Sequence, residues 1–486
     1  MHVLTKLSSL KSPAQFSKHV ESLGIEIPLD TQVHQPTGSP LMESCSWNFR
    51  TIGNRIAVQP MEGWDGTTSG GITEPMLRRW KRFGESGAKL IWGGEAMAVR
   101  PDGRANPNQL ILVESNRLGI QQLLDGLRQS HHEHWGQTDD LVIGCQLTHS
   151  GRFCRPNDHH RWEPRVAHRH PLLDSKFGVQ DDSQILSESE IMELIGAYVK
   201  AAKLAYEVGA DFVDIKCCHG YLLHEFLSAR TRQDGFGGSL ENRARMVIEI
   251  VRGIRKEVPG LGIAVRLSAF DSIPHEPNPD TAVDGKLGQG RPKMHEHLLP
   301  YQWGFGINPD RPTEVDLSEP HQFIEWLSNE GVELLNVTGG SPYYTPHMLR
   351  PAAFPPSDGY QPHEDPLLSV AKHFQVTRQI KQRHRRMLVV GSGYSYLQEH
   401  LAASAVHNVR AGWTDFVGLG RTILSYPKIL TDAVLRGSTE RKLICRTFSD
   451  CTTAPRNGLP SGCYPLDDYY KGTETAQEVK RIKSTF

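Results

Sequence analysis

Four long polar side chains occur inside short apolar runs that are otherwise typical of buried strands: Gln59, Gln146, Lys216 and Arg266. Successive side chains of a strand point to opposite faces, so the apolar neighbours of these four residues place them together on the inner face. Two amides and two cations that converge could bind a ligand with a negatively charged part and a flat group that forms hydrogen bonds. Lys216 and Arg266 both need partners, because an unpaired buried charge is strongly destabilising.

A purely structural network is the alternative interpretation of these residues. Asp214 lies on the same inner face as Lys216 and would pair with it, while Glu95 would pair with Arg266. Buried ion pairs of this kind are often structural. The polar residues of the strands therefore leave both interpretations open.

Two glycine-containing loops favour a binding site. Gly391-Ser392-Gly393 and Gly418-Leu419-Gly420-Arg421 each follow an apolar run and precede a helical pattern. Glycine lets backbone N–H groups approach an anion at a helix start, and a phosphate often binds after strands 7 and 8 of a (β/α)8 barrel. No third glycine completes a dinucleotide fingerprint. The loops predict a ligand with a phosphate at one end.

Eight strand–helix repeats must position these residues. The apolar runs are Arg55–Pro60, Lys89–Trp92, Leu141–Leu147, Phe212–Lys216, Ile263–Leu267, Val332–Val337, Met387–Val390 and Phe416–Leu419. The helical patterns are Glu74–Ser86, Arg117–His131, Ser189–Val208, Leu240–Val258, Glu319–Asn329, Leu367–His384, Tyr394–Ala405 and Pro427–Arg436. Ser187 and Glu190 form a capping-box pattern before the third helix. Eight such repeats predict the α/β class and a TIM (β/α)8 barrel.

Three segments fall outside the repeats. Residues 1–40 form an N-terminal extension, and residues 271–318 form a long loop rich in proline, glycine and charge. Residues 441–486 lack strong periodicity, so we expect a tail that packs on the barrel. The barrel itself is expected over residues 41–440.

The composition limits the classes of partner. The 54 Lys and Arg residues balance 55 Asp and Glu residues, so the net charge of −1 attracts neither nucleic acid nor an anionic membrane. No apolar run approaches the ~20 residues that cross a bilayer, and the N-terminus lacks the apolar stretch of a signal peptide. We therefore expect a cytoplasmic protein that acts on a small molecule, with a homo-oligomer left open. The eight cysteines are too sparse for a disulfide framework, so free thiols are expected.

The histidines show no local pattern of metal ligands. His295-Glu296-His297 and His159-His160 lie in polar stretches, without an HExxH motif or cysteine–histidine spacing. We therefore expect no metal site. Cys217 and Cys218, next to Lys216, are expected to be packing residues.

From about Ser39 to Tyr470 the sequence resembles the Old Yellow Enzyme family of FMN-dependent oxidoreductases. It is particularly similar to the barrel portion of bacterial 2,4-dienoyl-CoA reductase and trimethylamine dehydrogenase. The segment HGYLLHEFLSARTRQDGFGGSLENR, from His219 to Arg243, carries the most specific part of the resemblance. NRIAVQPM, QLTHSGR, VRLS and GLGR follow the order of the family's motifs.

The resemblance implies roles for individual residues. Pro60, Met61 and Ala96 would line the isoalloxazine ring, Gln146 would bind its pyrimidine edge, and Arg266 would lie by N1 and O2. Gly391, Gly393, Gly420 and Arg421 would hold the FMN phosphate. NADH or NADPH would reduce the flavin, whose N5 would then deliver hydride to an activated alkene. Tyr221 of HGYL would protonate the neighbouring carbon; a packed tyrosine is its alternative role.

The sequence departs from the family pattern at three places. Lys216 and His219 stand where relatives carry the two donors to the substrate carbonyl. Glu62 occupies a position near flavin N5 and O4 where relatives have small polar residues, so its carboxylate could lower the flavin potential or act as a base. Iron–sulfur relatives have four cysteines after strand 8, whereas Cys445, Cys451 and Cys463 remain here and Phe448 replaces the other thiolate. We therefore expect no iron–sulfur cluster.

The leading hypothesis is an FMN-dependent oxidoreductase that reduces an activated C=C bond with NAD(P)H, or catalyses a related oxidation, on a small organic molecule. A Schiff-base aldolase or lyase that uses Lys216 as its amine is a rival enzyme. A flavin-binding barrel without turnover is the non-enzymatic alternative.

Overall fold

The apolar runs form a closed barrel in the computed structural model, which describes residues 4–48, 50–283 and 285–486. The strands are β1 (Ile56–Val58), β2 (Leu90–Ile91), β3 (Val142–Thr148), β4 (Phe212–Cys217), β5 (Gly262–Phe270), β6 (Leu334–Gly339), β7 (Leu388–Gly391) and β8 (Phe416–Leu419). Each strand pairs in parallel with its neighbours in sequence, β8 pairs with β1, and so the sheet closes. The predicted TIM barrel is confirmed.

The register of the strands sorts the inward residues into levels. Phe212 faces Gly144 on one side and Gly262 on the other, in an apolar layer that also contains Trp47 and Trp92. One level higher, Asp214 lies beside Gln146, and above it Lys216 lies beside Arg266. The inward direction that the apolar pattern predicts for these polar residues is therefore correct, and they lie nearest the C-terminal ends of the strands.

Six of the predicted helices form close to their expected bounds and surround the barrel: α1 (Glu74–Glu85), α2 (Arg117–Trp135), α3 (Glu188–Glu207), α4 (Leu240–Glu257), α5 (Ser318–Asn329) and α6 (Pro366–Arg383). Ser187 caps α3 and accepts a hydrogen bond from the backbone N–H of Glu190, whose carboxylate in turn accepts one from the Ser187 backbone. The predicted capping box is therefore confirmed.

The last two helical patterns are interrupted in the structure. Tyr394–His400 forms a 3₁₀ segment before α7 (Leu401–Arg410), because Gln398 takes a non-helical conformation with φ of 52°. After β8, the short helix Arg421–Ser425 ends before Pro427 and is followed by the turns Ile429–Thr431 and Asp432–Arg436. Proline lacks the N–H that would continue the first helix. Periodicity alone did not show these breaks.

The segments outside the repeats pack on the barrel. The helix Pro13–Ser22 buries Phe16 against His400, and His19 pairs with Asp365 at 2.9 Å. The loop after β5 contains a short hairpin, His275–Pro277 with Gly290–Pro292. In the C-terminal tail, the helix Asp450–Arg456 lies at the mouth of the barrel. Lys483 of the next and last helix, Glu474–Lys483, pairs with Asp450.

Within the described residues, no helix combines the length and the apolar composition that a bilayer span requires.

Candidate functional site

A cleft with a free volume of about 1170 Å³, its open mouth included, lies at the C-terminal ends of the strands. Eleven of the thirteen residues that the family resemblance places at the flavin or the substrate line it: Pro60, Met61, Glu62, Gln146, Lys216, His219, Tyr221, Arg266, Gly393, Gly420 and Arg421. The other two lie behind its wall: Ala96 pairs with Gln146 in an adjoining short strand, Ala96–Ala98, and Gly391 ends β7. The fold thus brings together residues from six different strand ends and their loops.

A carboxylate at the centre of the barrel orients the Gln146 side chain. Asp214 is fully buried and accepts hydrogen bonds from the Gln146 amide at 2.6 Å and from the Arg266 backbone N–H at 2.6 Å. Burial raises the pKa of Asp214 to about 6, and the hydrogen bond from Gln146 opposes that rise. One amide hydrogen of Gln146 is therefore used inside the protein, and its oxygen and second hydrogen are left for a ligand.

Both ion pairs of the structural alternative are wrong. Residues two apart on a strand are separated by almost 7 Å, so Asp214 does not reach Lys216, which pairs instead with Glu62 at 3.3 Å. Glu95 turns toward α1, where Arg79 binds it together with Asp65. Arg266 is consequently left without an ion-pair partner within 4 Å among the described residues.

Seven buried side-chain atoms on residues that line the cleft have no hydrogen-bond partner in the described part of the chain, and Arg266 Nε, Arg421 Nη1 and His219 Nε2 are among them. Burial lowers the pKa of Arg266. The Arg421 guanidinium uses another nitrogen, Nη2, to donate to the Pro351 carbonyl at 2.7 Å. Buried polar groups in proteins are normally satisfied, so these atoms are available to bind a ligand that carries acceptor atoms.

Glu62 connects the three residues expected to carry the chemistry. Its carboxylate accepts a hydrogen bond from Tyr221 at 2.7 Å and from Gln109 at 3.1 Å, besides the contact with Lys216. The Lys216 ammonium lies 3.4 Å from the centre of the Tyr221 ring. Burial, together with the Glu62 charge, raises the pKa of Tyr221 well above its usual range. Tyr221 is therefore a protonated phenol at neutral pH.

His219 offers a neutral side chain to the same cleft. Its backbone has a positive φ of 67° and its N–H donates to Ser268 Oγ at 2.9 Å, which holds the turn after β4. Burial and the nearby charges of Arg266 and Lys216 lower the pKa of His219 well below its usual value. An uncharged imidazole retains one N–H donor.

The two glycine loops bring backbone close to the cleft. Gly393 has a φ of 99°, a conformation that other residues rarely adopt, and it begins the 3₁₀ segment after β7. A Cβ atom on Gly418 would lie 2.0 Å from Gln59 Nε2, so β8 packs closely on the side chain from β1. Gln59 is also held by Asn336 at 2.7 Å and Ser392 at 3.1 Å. Gln59 therefore joins β1, β6 and the β7 loop beneath the cleft.

The structure adds two arginines that the sequence analysis did not identify. Arg350, in the loop after β6, and Arg456, at the end of the helix Asp450–Arg456, both line the cleft. Burial lowers the pKa of Arg350 to about 10, and the neighbouring Arg421 acts in the same direction. Arg456 stacks 4.1 Å over the Tyr343 ring and lies 3.2 Å from Asp358. Neither arginine belongs to a strand, so the inward-facing pattern could not reveal them.

The three tail cysteines have free thiols. Cys445 is buried, Cys451 and Cys463 are half-buried, and Cys451 lies at the cleft, 3.8 Å from Arg350 Nη2. Phe448 packs against Phe354 with ring centres 5.4 Å apart. The absence of an iron–sulfur cluster remains a prediction.

Known proteins share both the sequence and the fold. The sequence profile of the NADH:flavin oxidoreductase / NADH oxidase family matches residues 42–281. An NADH:flavin oxidoreductase of Gibberella zeae is 32% identical over 251 residues, which are 47% of this chain and 58% of that protein. An NADPH dehydrogenase of Bacillus cytotoxicus is 26% identical over 339 residues, covering 68% of this chain and 76% of the relative.

The structure of an Old Yellow Enzyme homologue from Zymomonas mobilis superimposes with a TM-score of 0.55 at 18% identity, over 82% of this chain and 94% of that one. At this identity the match supports the barrel fold alone. The profile match covers the HGYL, FLS and GGS-ENR motifs, which are the most specific part of the sequence resemblance. Through residues 42–281, this chain belongs to the NADH:flavin oxidoreductase / NADH oxidase family.

Proposed function

We propose that the protein is an FMN-dependent oxidoreductase that uses NADH or NADPH to reduce an activated C=C bond of a small organic molecule. The observation that carries this proposal is the pair of unpartnered buried guanidinium donors, Arg266 Nε and Arg421 Nη1, in one cleft with the protonated Tyr221. A flavin phosphate and a flavin ring both supply acceptor atoms, and the phenol supplies a proton.

The residues of the cleft fit FMN in type. Gln146 and Arg266 would bind the polar edge of the ring system, with Pro60, Met61 and Ala96 beside it. Gly391, Gly393, Gly420 and Arg421 would hold the phosphate, and the cation of Arg350 would add to its binding. A single phosphate site without a dinucleotide fingerprint favours FMN over FAD. FMN bound in this way would supply hydride transfer from the nicotinamide to the substrate.

His219 and Lys216 would bind the electron-withdrawing oxygen of the substrate. His219 has an unused Nε2, and the Lys216 ammonium has three donors of which Glu62 takes one. Hydrogen bonds to an oxygen that gains negative charge in the transition state lower the barrier more than bonds to the ground state do.

Tyr221 would supply the proton to the neighbouring carbon. Glu62 fixes the direction of its hydroxyl group, and the Lys216 ammonium over the ring would stabilise the phenolate that the transfer leaves. The Glu62 side chain is 15% exposed, so it offers the hydroxyl a route to protons from solvent.

The Schiff-base alternative is less well supported. A Schiff base needs an unprotonated amine, whereas the two contacts of Lys216, with the Glu62 carboxylate and the face of the Tyr221 ring, are contacts that attract a cation. Borohydride treatment with a carbonyl substrate would trap an adduct on Lys216 if that chemistry operated.

The visible spectrum of the purified protein is the first test. We expect flavin absorption bands, release of FMN rather than FAD on heating, and bleaching by NADH or NADPH under anaerobic conditions. A colourless protein that does not take up added FMN would refute the proposal. Bound FMN that neither nicotinamide reduces would instead favour a flavin-binding barrel without turnover.

A further inference from the structure

Three histidines from two loops meet beside the cleft. His275 belongs to the hairpin after β5, His347 to the short helix Pro346–Leu349 after β6, and His363 to the segment that leads into α6. One ring nitrogen of each lies within 4.8 Å of the other two. The ring centres are 4.7, 5.3 and 4.6 Å apart. The cluster contains none of the residues proposed to bind the flavin or the substrate, and the proposed reaction does not use it.

The hydrogen bonds of the rings leave nitrogen lone pairs for a further partner. His275 Nδ1 donates to the Ile273 carbonyl at 2.8 Å, so its Nε2 is a free acceptor. His347 Nδ1 lies 2.6 Å from the Tyr360 hydroxyl, which leaves Nε2 on the opposite side of that ring. His363 Nδ1 is buried and has no hydrogen-bond partner among the described residues. Metal-binding histidines commonly fix their second nitrogen through such bonds to a carbonyl or a hydroxyl.

The protonation state suits a cation. Burial lowers the pKa of His275 to about 4 and that of His347 well below its usual value, and it lowers the pKa of His363 as well. The three rings are therefore neutral at pH 7. Metal ions bind histidine in this form.

We propose that His275, His347 and His363 form a binding site for a divalent transition metal of the kind that prefers imidazole, with Zn²⁺ as its representative. Nitrogens bound to tetrahedral zinc at 2.0–2.1 Å are about 3.4 Å apart, so each ring would move by less than ~1 Å toward the centre. Three protein ligands leave the fourth position for water. This proposal departs from the sequence expectation of no metal, which considered local spacings only.

The metal would join the loop after β5 to the loop after β6, and the second of these loops lines the cleft. His275 belongs to the loop after β5, whereas His347 lies three residues before Arg350, which lines the cleft. The His275 backbone already donates to the Tyr344 carbonyl at 2.8 Å, so the two loops are in contact. A metal bridge across this contact would stabilise the position of Arg350. The site itself does not depend on the identity of the reaction in the cleft.

The test uses the full-length protein with its flavin, first treated with EDTA and then dialysed. We expect it to bind about one equivalent of Zn²⁺ by titration calorimetry with a micromolar or tighter Kd, and to raise its thermal midpoint. Added Co²⁺ should give a tetrahedral band between about 550 and 700 nm, beyond the absorption of oxidised flavin. These readouts do not require turnover.

Single variants locate the metal. His347→Asn and His363→Asn should each weaken Zn²⁺ binding by more than the ~10–100-fold that loss of an outer-shell partner causes. The exposed His297, in the same long loop as His275, provides the control His297→Asn, which should leave affinity and stoichiometry unchanged. Retention of the flavin spectrum shows that each variant is folded.

Two results would overturn the proposal. One is a wild-type protein that binds neither Zn²⁺ nor Co²⁺ at 100 µM, which needs no variant to interpret. The other is metal binding that persists in both histidine variants and is lost in Cys463→Ser, which would place the metal at the tail cysteines.

Discussion

Tyr221→Phe separates proton transfer from the other steps of the proposed reaction. The substitution removes only the hydroxyl, which donates to Glu62 at 2.7 Å and lies 3.3 Å from the Tyr343 hydroxyl. The ring, its contact with Phe153 at 5.8 Å and its position under Lys216 are retained. Loss of a general acid slows a step by ~10²–10⁴-fold, which corresponds to about 3–5 kcal/mol of activation free energy. FMN binding and flavin reduction by the nicotinamide should remain nearly unchanged.

Stopped-flow absorption of the flavin measures the two half-reactions separately. Anaerobic mixing with NADPH or NADH gives the reductive rate, and mixing of the reduced protein with an alkene that the wild type accepts gives the oxidative rate. Tyr343→Phe is the matched control, because it removes the same 3.3 Å hydrogen bond and leaves the bond between Tyr221 and Glu62 intact. We expect the control to change either rate by less than ~10-fold. An oxidative rate in Tyr221→Phe equal to that of the wild type would refute the assignment and return Tyr221 to a packing role.

Four further outcomes are expected. Arg421→Ala should weaken FMN retention by about 1–3 kcal/mol through loss of a charged hydrogen bond, measured as the Kd of the apoprotein for FMN. Lys216→Met should slow the oxidative half-reaction more than the reductive one. An oxidative rate equal to that of the wild type would leave Lys216 only a structural partner of Glu62. Metal analysis should find no stoichiometric iron, and iron accompanied by acid-labile sulfide would show that a distant residue completes a cluster with the tail cysteines. Because burial raises the pKa of Asp214 to about 6, its stabilising contribution is complete below about pH 3.8 and is lost as the pH rises through 6. Asp214→Asn should therefore lose less unfolding free energy between pH 5 and 7.5, a difference of about 1.4 kcal/mol that denaturant titrations at each pH would detect.

Most of the features that the sequence could predict, the barrel and its inward-facing polar side chains, belong to the strands. The eight apolar runs identified every strand of the barrel, because strands that are buried on both faces read as short continuous apolar segments. Within them, a period of two was sufficient to turn Gln59, Gln146 and Arg266 inward. The glycine loops could also be identified from residue type, since the backbone at Gly393 needs a conformation that few other residues adopt.

Contacts between irregular segments could not be predicted in the same way. Arg350 and Arg456 reach the cleft from a loop and from the tail, where no periodicity relates a residue number to a direction in space. The histidine cluster has the same origin, because His275 is distant in sequence from His347 and His363 and only the barrel brings their two loops together. The partner of Lys216 was missed because Glu62 follows β1 and does not lie on a strand.

The contact between Lys216 and Glu62 unites two departures from the family pattern that looked independent in the sequence. A buried ammonium in place of a donor such as histidine needs a nearby anion, and Glu62 supplies it at 3.3 Å with a Lys216 side chain that is only 3% exposed. Removing one partner of a buried pair leaves an uncompensated charge. Each single substitution should therefore lower the free energy of unfolding by more than half of what the pair itself contributes. If the two changes compensate each other, the variant that lacks both charges should be more stable than the sum of the single effects implies. The same pair holds Tyr221 from two sides, through its hydroxyl and its ring, so the charge balance of the cleft and the position of the proton donor depend on one contact.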